Sequence, residues 1–205
     1  MKTKSTLSLV QLSFFMAIIV LLAVTPFLGY IPLGFTRATI IHVPVIIGSV
    51  ILGPKKGALL GFVFGVTSLL SNTFNPTLTS FVFTPFYSLG STVGNPWSLV
   101  ICFIPRILVG VVPYYVYSWI KKTSNNEILG LGFAGLLGSL TNTLLVMNAI
   151  YIFFGEQYAV AKEVDLSELY GIIMGIIGIN GIPEAVVASI LTMGIAKFLL
   201  KYQKK

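Results

Sequence analysis

Charge is what this sequence has least of. Of its 205 residues only 9% are charged, six of them acidic, and there is one histidine and one cysteine. With 56% hydrophobic residues and a mean hydropathy of +0.94, the chain cannot cover a water-facing surface, which excludes a soluble domain and leaves a polytopic membrane protein. The lone Cys102 has no possible intrachain disulfide partner and, lying in an apolar run, reads as a small buried hydrophobe. A single histidine, His42, with no cysteine or carboxylate cluster beside it, provides too few ligands for a metal centre. Serine nucleophile elbows, paired catalytic carboxylates and zinc-protease motifs are all missing, so the chain does not read as an enzyme. No Gly-x4-Gly-Lys-Ser/Thr is present, so ATP hydrolysis by that route is excluded too.

What is present is a set of apolar runs, near 7–28, 38–53, 57–71, 97–119, 128–153 and 170–200. At about 20 residues per crossing they predict an all-α membrane protein of six transmembrane helices, the second and third short, in a single domain over 1–205. The net charge of +7 is spread as basic residues between these runs rather than along one face, which points to sidedness and not to nucleic acid. Lys2, Lys4, Lys55, Lys56, Lys121, Lys122, Lys197, Lys201, Lys204 and Lys205 all fall on one side of the predicted bundle. By the positive-inside rule both termini are then cytoplasmic, with Lys162 and Arg37 on the outer side. Pro26, Phe27 and Leu28 make a poor cleavage region, so the first run reads as a retained span.

Residues 72–96 form a long uncharged extracellular loop between the third and fourth helices. Its aromatics, Phe74, Phe81, Phe83, Phe86 and Tyr87, predict an ordered segment, either a lid over an outward-facing pocket or an interfacial belt. A second outer connection, Gly155 to Glu168, carries four of the six acidic residues and reads as a solvated link. No internal repeat is visible.

Polar residues inside the spans gather toward the outer half. Arg106 lies about 14 Å into the fourth helix, where an unpaired arginine costs on the order of 3 kcal/mol. Two readings stay open: an internal pair with Glu184, the acidic residue of the sixth helix, or an anion site presenting a planar fork to a carboxylate or phosphate. Asn180 lies one turn before Glu184. On the fifth helix Ser139, Asn142 and Thr143 share one face and Thr141 and Asn148 another; Ser139 reads as interhelical glue, while Asn148 is the better ligand candidate. Thr67, Ser68, Ser71 and Asn72 cluster at the outer end of the third helix. His42, about one turn into the second span, reads as a hydrogen-bonded residue at the pocket. This asymmetry predicts a cup open to the exterior rather than a channel. Ser13 and Ala17 form a small-x3-small pair that lets another helix approach, either within the bundle or from a partner.

Several runs carry a resemblance: Pro32-Leu-Gly-Phe-Thr-Arg-Ala-Thr-Ile-Ile-His-Val-Pro-Val-Ile-Ile-Gly48, Gly61-Phe-Val-Phe-Gly-Val-Thr-Ser68, Ser80-Phe-Val-Phe-Thr-Pro-Phe86 and Asn180-Gly-Ile-Pro-Glu-Ala185. With the six-span pattern, the chain resembles the substrate-binding S components of energy-coupling factor vitamin transporters over nearly its whole length. It is most similar to the pantothenate-specific type, with the pyridoxine and hydroxymethylpyrimidine types close behind. The resemblance implies a capture protein of the bacterial cell membrane that works with a transmembrane coupling subunit and two ATPase subunits. It would take the vitamin from outside and topple in the membrane to deliver it, using no cofactor of its own because ATP is consumed by the partners. Read from the residues themselves, the ligand would be held among Arg106, Asn148, Asn180, Glu184, Asn72, His42 and Tyr87, with Arg37 near the mouth drawing anions in. Ser13 and Ala17 stand where the family meets its coupling subunit through an alanine-x3-alanine motif. An ion-coupled secondary transporter titrating Glu184, and a scaffold without ligand, are the alternatives from other classes.

Overall fold

A computed structural model describes residues 2–25, 30–33, 36–90 and 92–203. The region Pro26 to Leu28, the terminal Lys204 and Lys205, and the side chains of Lys2, Lys4 and Arg37 lie outside what it describes. The described chain is mostly helical. Five segments are long and apolar enough to cross a membrane: Thr6–Val24, Pro54–Phe74, Pro96–Ser124, Glu127–Lys162 and Leu166–Tyr202; His42–Leu52 is a shorter apolar helix.

The helices are α1 (Lys2–Val24), α2 (His42–Leu52), α3 (Pro54–Phe74), α4 (Pro96–Val109), α5 (Val112–Ser124), α6 (Glu127–Lys162), α7 (Leu166–Ile176) and α8 (Ile182–Gln203). Their ends follow local chemistry. Gly53 takes the left-handed side of backbone space (φ 88°) and Pro54 opens α3, so α2 and α3 form a helical hairpin. Asn95 caps α4 in a reciprocal capping box with Ser98. Asn125, in the αL conformation, closes α5, and the Asn126 side chain accepts from the amides of Ile128 and Leu129 to start α6.

The all-α expectation needs one correction. Two small antiparallel hairpins are present: β1 (Tyr30–Leu33) with β2 (Thr36–Thr39), and β3 (Ser88–Leu89) with β4 (Thr92–Val93). The start of the run read as 38–53 is therefore strand, and only the part from His42 is helix. The run 97–119 is not one helix either. It breaks between Val109 and Val112, where Pro113 stands in the first turn of α5 and Gly110 meets Gly57 backbone to backbone. The outer connection expected at 155–168 is mostly helix: α6 bends at Phe154 (φ −136°, ψ 18°) and runs on to Lys162. The last run is divided by a π-helical turn at Ile177–Gly181, just before Pro183, whose missing N–H and ring exclude a regular α-helical ladder there.

Glycines set how closely the helices approach. Gly57, Gly61 and Gly65 recur every fourth residue on α3, and a Cβ at each would strike Gly110, Arg106 or Phe103 of the α4–α5 segment. Gly132 and Gly135 of α6 do the same against Met193, Ala188 and Ser189 of α8, where Ser189 Oγ donates to Gly132 O at 2.9 Å. The Lys56 ammonium donates to Ser8 Oγ, tying α1 to α3. Two apolar clusters fill the interior. One, with Phe15, Ile19, Ile46, Leu60 and Leu131, lies toward the end bearing Lys55 and Lys121 (the lysine end); the other, with Phe81, Ile101, Ile150 and Phe154, lies under the 75–95 segment (the loop end). On α6 the polar run 139–143 falls between them.

Candidate ligand-binding site

The loop segment is held by its own polar residues. Asn72 Nδ2 donates to Ser68 O and its Oδ1 accepts from Ser80 Oγ, both at 2.8 Å, while the Thr73 and Thr84 hydroxyls pair at 2.7 Å. Ser98 Oγ donates to Phe81 O at 2.7 Å, seating the fully buried Phe81 ring against Phe154. Tyr87 is half-buried against this same cluster, whereas Phe74 and Phe86 are exposed. Asn72, read as a ligand group, thus has both ends of its amide engaged in anchoring the loop.

Beneath the loop lies Arg106, buried to 6% exposure. Its guanidinium turns back toward the loop end, Nη1 donating to Ile101 O at 2.7 Å and Nη2 to Ser68 Oγ at 3.4 Å, under the rings of Phe83 (4.9 Å) and Phe64 (5.7 Å). Cys102, fully buried as its apolar surroundings predicted, donates its thiol to Gly65 O at 3.4 Å. The expected pair of Arg106 with Glu184 does not form. Glu184 instead accepts the Thr39 backbone N–H at 2.6 Å, because β2 rather than α4 lies against the start of the last helix.

A second polar group occupies the middle of the bundle. His42 is 1% exposed, and neither of its ring nitrogens has a hydrogen-bond partner among the described residues. That corrects the reading of a hydrogen-bonded histidine: at the first residue of α2 its ring is buried among neighbouring helices with no described donor or acceptor within hydrogen-bond distance. Ser139 Oγ, Asn142 Oδ1 and Asn180 Oδ1 are buried and unpartnered in the same sense. Buried polar atoms are normally satisfied, and Ser49 Oγ and Thr192 Oγ1, nearer the lysine end, are further exceptions.

His42, Asn142 and Asn180 share one depth. α2 and α6 are antiparallel with Ile46 against Gly138, so His42 and Asn142, each one turn nearer the loop end, face one another. α6 and the last span are also antiparallel, with Thr143 against Gly181, which brings Asn180 to that level; Ser139 and Glu184 come one turn below. Asn148, preferred from sequence, is half-buried and donates Nδ2 to Leu144 O at 2.8 Å. Asn142, six residues earlier, has its side-chain oxygen buried. The signal was in the sequence: Gly135, Gly138 and Asn142 follow three-and-four spacing, which puts Asn142 on the glycine-lined face that meets other helices.

At the other end of the prediction, Ser13 and Ala17 are exposed on α1, beside a shallow groove lined by Met16, Ala17, Val20 and Leu21. Arg37 has its backbone in β2, paired with Pro32. No group of three or more His, Cys, Asp or Glu side chains that could hold a metal occurs among the described residues.

The family described as ECF transporter, substrate-specific component, matches residues 7–196. The chain belongs to this family. Substrate-specific components of ECF transporters are transport proteins and not enzymes, and this one is a multi-pass protein of the bacterial plasma membrane. It is 46% identical over 166 residues to the pantothenic acid transporter PanT of Lactococcus lactis subsp. cremoris, covering 80% of this chain and 79% of that protein. It is 34% identical over 207 residues to the pantothenate transporter PanT of Leuconostoc mesenteroides subsp. mesenteroides, covering 98% of this chain and 95% of the relative. Two polar groups are thus buried in the bundle, Arg106 of α4 against α3, and His42, Asn142 and Asn180 where α2, α6 and the last span meet.

Proposed function

We propose that this chain captures pantothenate at the outer face of the membrane and hands it to an ATP-driven coupling module for import. The observation that carries the reading is the 46% identity to a protein named as a pantothenic acid transporter. The chemistry of the site agrees with it. Pantothenate is an anion with two hydroxyls and an amide, and a buried guanidinium with amide, imidazole and hydroxyl groups deeper in the same bundle suits such a molecule.

In this reading the lysine end is cytoplasmic and the loop end faces out. Arg106 takes the carboxylate, with Glu184, Asn180, His42 and Tyr87 around the ligand, Arg37 drawing anions to the mouth, and the segment 72–95 closing above. Water exclusion then strengthens each polar contact. The module comprises a transmembrane coupling subunit and two ATPase subunits that consume the ATP, and the chain topples in the bilayer to release its cargo. Ser13 and Ala17, exposed on α1, form the contact with the coupling subunit.

Calorimetric titration of the purified, ligand-stripped protein in detergent with pantothenate, pyridoxine and hydroxymethylpyrimidine tests the ligand. Saturable binding of pantothenate alone is the expected result. Binding of a neutral vitamin instead would reassign the substrate, and binding of none would remove the capture role.

A further inference from the structure

Most of the buried side-chain atoms without hydrogen-bond partners lie deeper than the Arg106 guanidinium: His42 Nδ1 and Nε2, Asn142 Oδ1 and Asn180 Oδ1 form one layer, Ser139 Oγ is a turn below, and Ser49 Oγ and Thr192 Oγ1 are further toward the lysine end. Trp97 of α4 stacks on Phe153 of α6 at 4.3 Å, and α4 and α6 are antiparallel, so Ile101, whose carbonyl holds the Arg106 guanidinium, comes level with residue 149. Asn142 is about two turns further from the loop end. At 1.5 Å per residue the guanidinium and the His42–Asn142–Asn180 layer are separated by roughly 10 Å along the bundle axis. α2 packs against both α4 and α6, so the line joining the two levels runs between these three helices.

An extended pantothenate has a similar length. From carboxylate carbon to terminal hydroxyl it spans roughly eight bonds, each advancing about 1.25 Å, or about 10 Å. Its chemistry is also divided the same way: the charge is at one end and both hydroxyls are at the other. Neutral imidazole offers one donor and one acceptor, and a carboxamide offers acceptor oxygen and two donors, so His42, Asn142 and Asn180 can give to and take from hydroxyls but carry no charge to attract the carboxylate.

Resting on the pantothenate reading, we infer that the ligand stands along the bundle axis, carboxylate toward the loop end at Arg106 and dihydroxy end down in the layer of His42, Asn142 and Asn180, which selects for the hydroxyls. Asn142 is the central specificity residue of this layer. The hydroxyl end therefore enters first and the charged end is covered last. A site built to bond hydroxyls rejects an analogue without them, since its own buried groups are then left unpaired.

Two probes separate the ends. N-(3,3-dimethylbutanoyl)-β-alanine keeps the carboxylate and amide and lacks both hydroxyls; pantothenol keeps the hydroxyls and has a neutral alcohol in place of the carboxylate. Affinities of all three compounds are measured by calorimetry for the unsubstituted protein and for Asn142→Leu, His42→Phe and Asn180→Leu. The unsubstituted protein is expected to prefer pantothenate to the dideoxy compound by roughly 100-fold. Asn142→Leu should reduce that preference to within a few-fold and leave the preference over pantothenol unchanged. Ratios of affinities, with stoichiometry reporting the folded fraction, keep the comparison valid for any variant that folds in part, and Asn180→Leu supplies the result if His42→Phe does not fold.

If the preference for hydroxyls survives all the variants, or if they alter the preference over pantothenol instead, the orientation is wrong while the ligand stands. If the unsubstituted protein binds no pantothenate, the ligand reading falls and this inference with it.

Discussion

Glu184 accepts the backbone N–H of Thr39 at 2.6 Å, so the strand preceding α2 is fastened to the first turn of α8 by a hydrogen bond. A membrane carboxylate that reads from sequence as a partner for arginine, or as a titrating group, is in the folded chain a fastening for the β1–β2 hairpin. Replacing it by alanine removes the acceptor. Hydrogen exchange at the Thr39 amide is expected to rise at least tenfold in Glu184→Ala, corresponding to a lost bond of about 1.5–3 kcal/mol, and much less in Glu184→Gln, which keeps an acceptor oxygen. Equal protection in all three proteins would remove Glu184 from this role.

The Arg106 fork meets a carbonyl, a hydroxyl and two aromatic faces, and a point charge cannot reproduce that set. Arg106→Lys is expected to weaken pantothenate binding by roughly 10-fold and Arg106→Gln by roughly 100-fold, in line with about 1.5–3 kcal/mol for a charged hydrogen-bonded contact. Pantothenol affinity should move by less than a few-fold in both. Calorimetry on the two compounds decides it, and a parallel loss of both ligands would make Arg106 structural.

Gly57 and Gly110 touch through their backbones where α3 passes the break between α4 and α5. A methyl group at either site has no space. Gly57→Ala and Gly110→Ala should each destabilise the protein by about 1–3 kcal/mol as overpacking does, lowering its detergent melting temperature, whereas alanine at Gly171 of α7, where a Cβ meets nothing within 4 Å, should leave it nearly unchanged.

Ser13 and Ala17 make no part of the apolar interior and are exposed on α1. Leucine at both positions should leave pantothenate affinity of the isolated chain within twofold and reduce uptake in vesicles containing the coupling module by tenfold or more. Undiminished uptake would place the coupling contact elsewhere on the surface.

Much of the fold is legible in the sequence because hydrocarbon runs are long and unambiguous: each of the six apolar runs contains a helix. What escapes is decided by backbone exceptions inside those runs. Thr36–Thr39 is strand although it continues into an apolar segment, the Gly110–Val111 break and the π turn before Pro183 interrupt runs of unchanged hydropathy, and α6 continues past its bend at Phe154 into polar residues. Hydropathy averages over such points. At the site, residue types were readable but partners were not: Arg106 and Glu184 are both buried or half-buried, yet which of several helices each faces depends on rotation about the helix axis. Asn142 and Asn148 are only six residues apart, and that difference of rotation separates a buried, unpartnered amide oxygen from an amide bonded to its own helix.

The glycine seam of α3 has a further effect under the proposed binding mode. With Gly57, Gly61 and Gly65 close-packed along the α4–α5 segment, these helices cannot slide or spread without opening voids, so the height of Arg106 is set by that packing. Across the bundle the last span carries a π turn and α6 carries a bend. The protein then works as a caliper with one fixed jaw: adjustment to a longer or shorter molecule can come only from the α6 and π-turn side, and changes of ligand in related proteins would accumulate there.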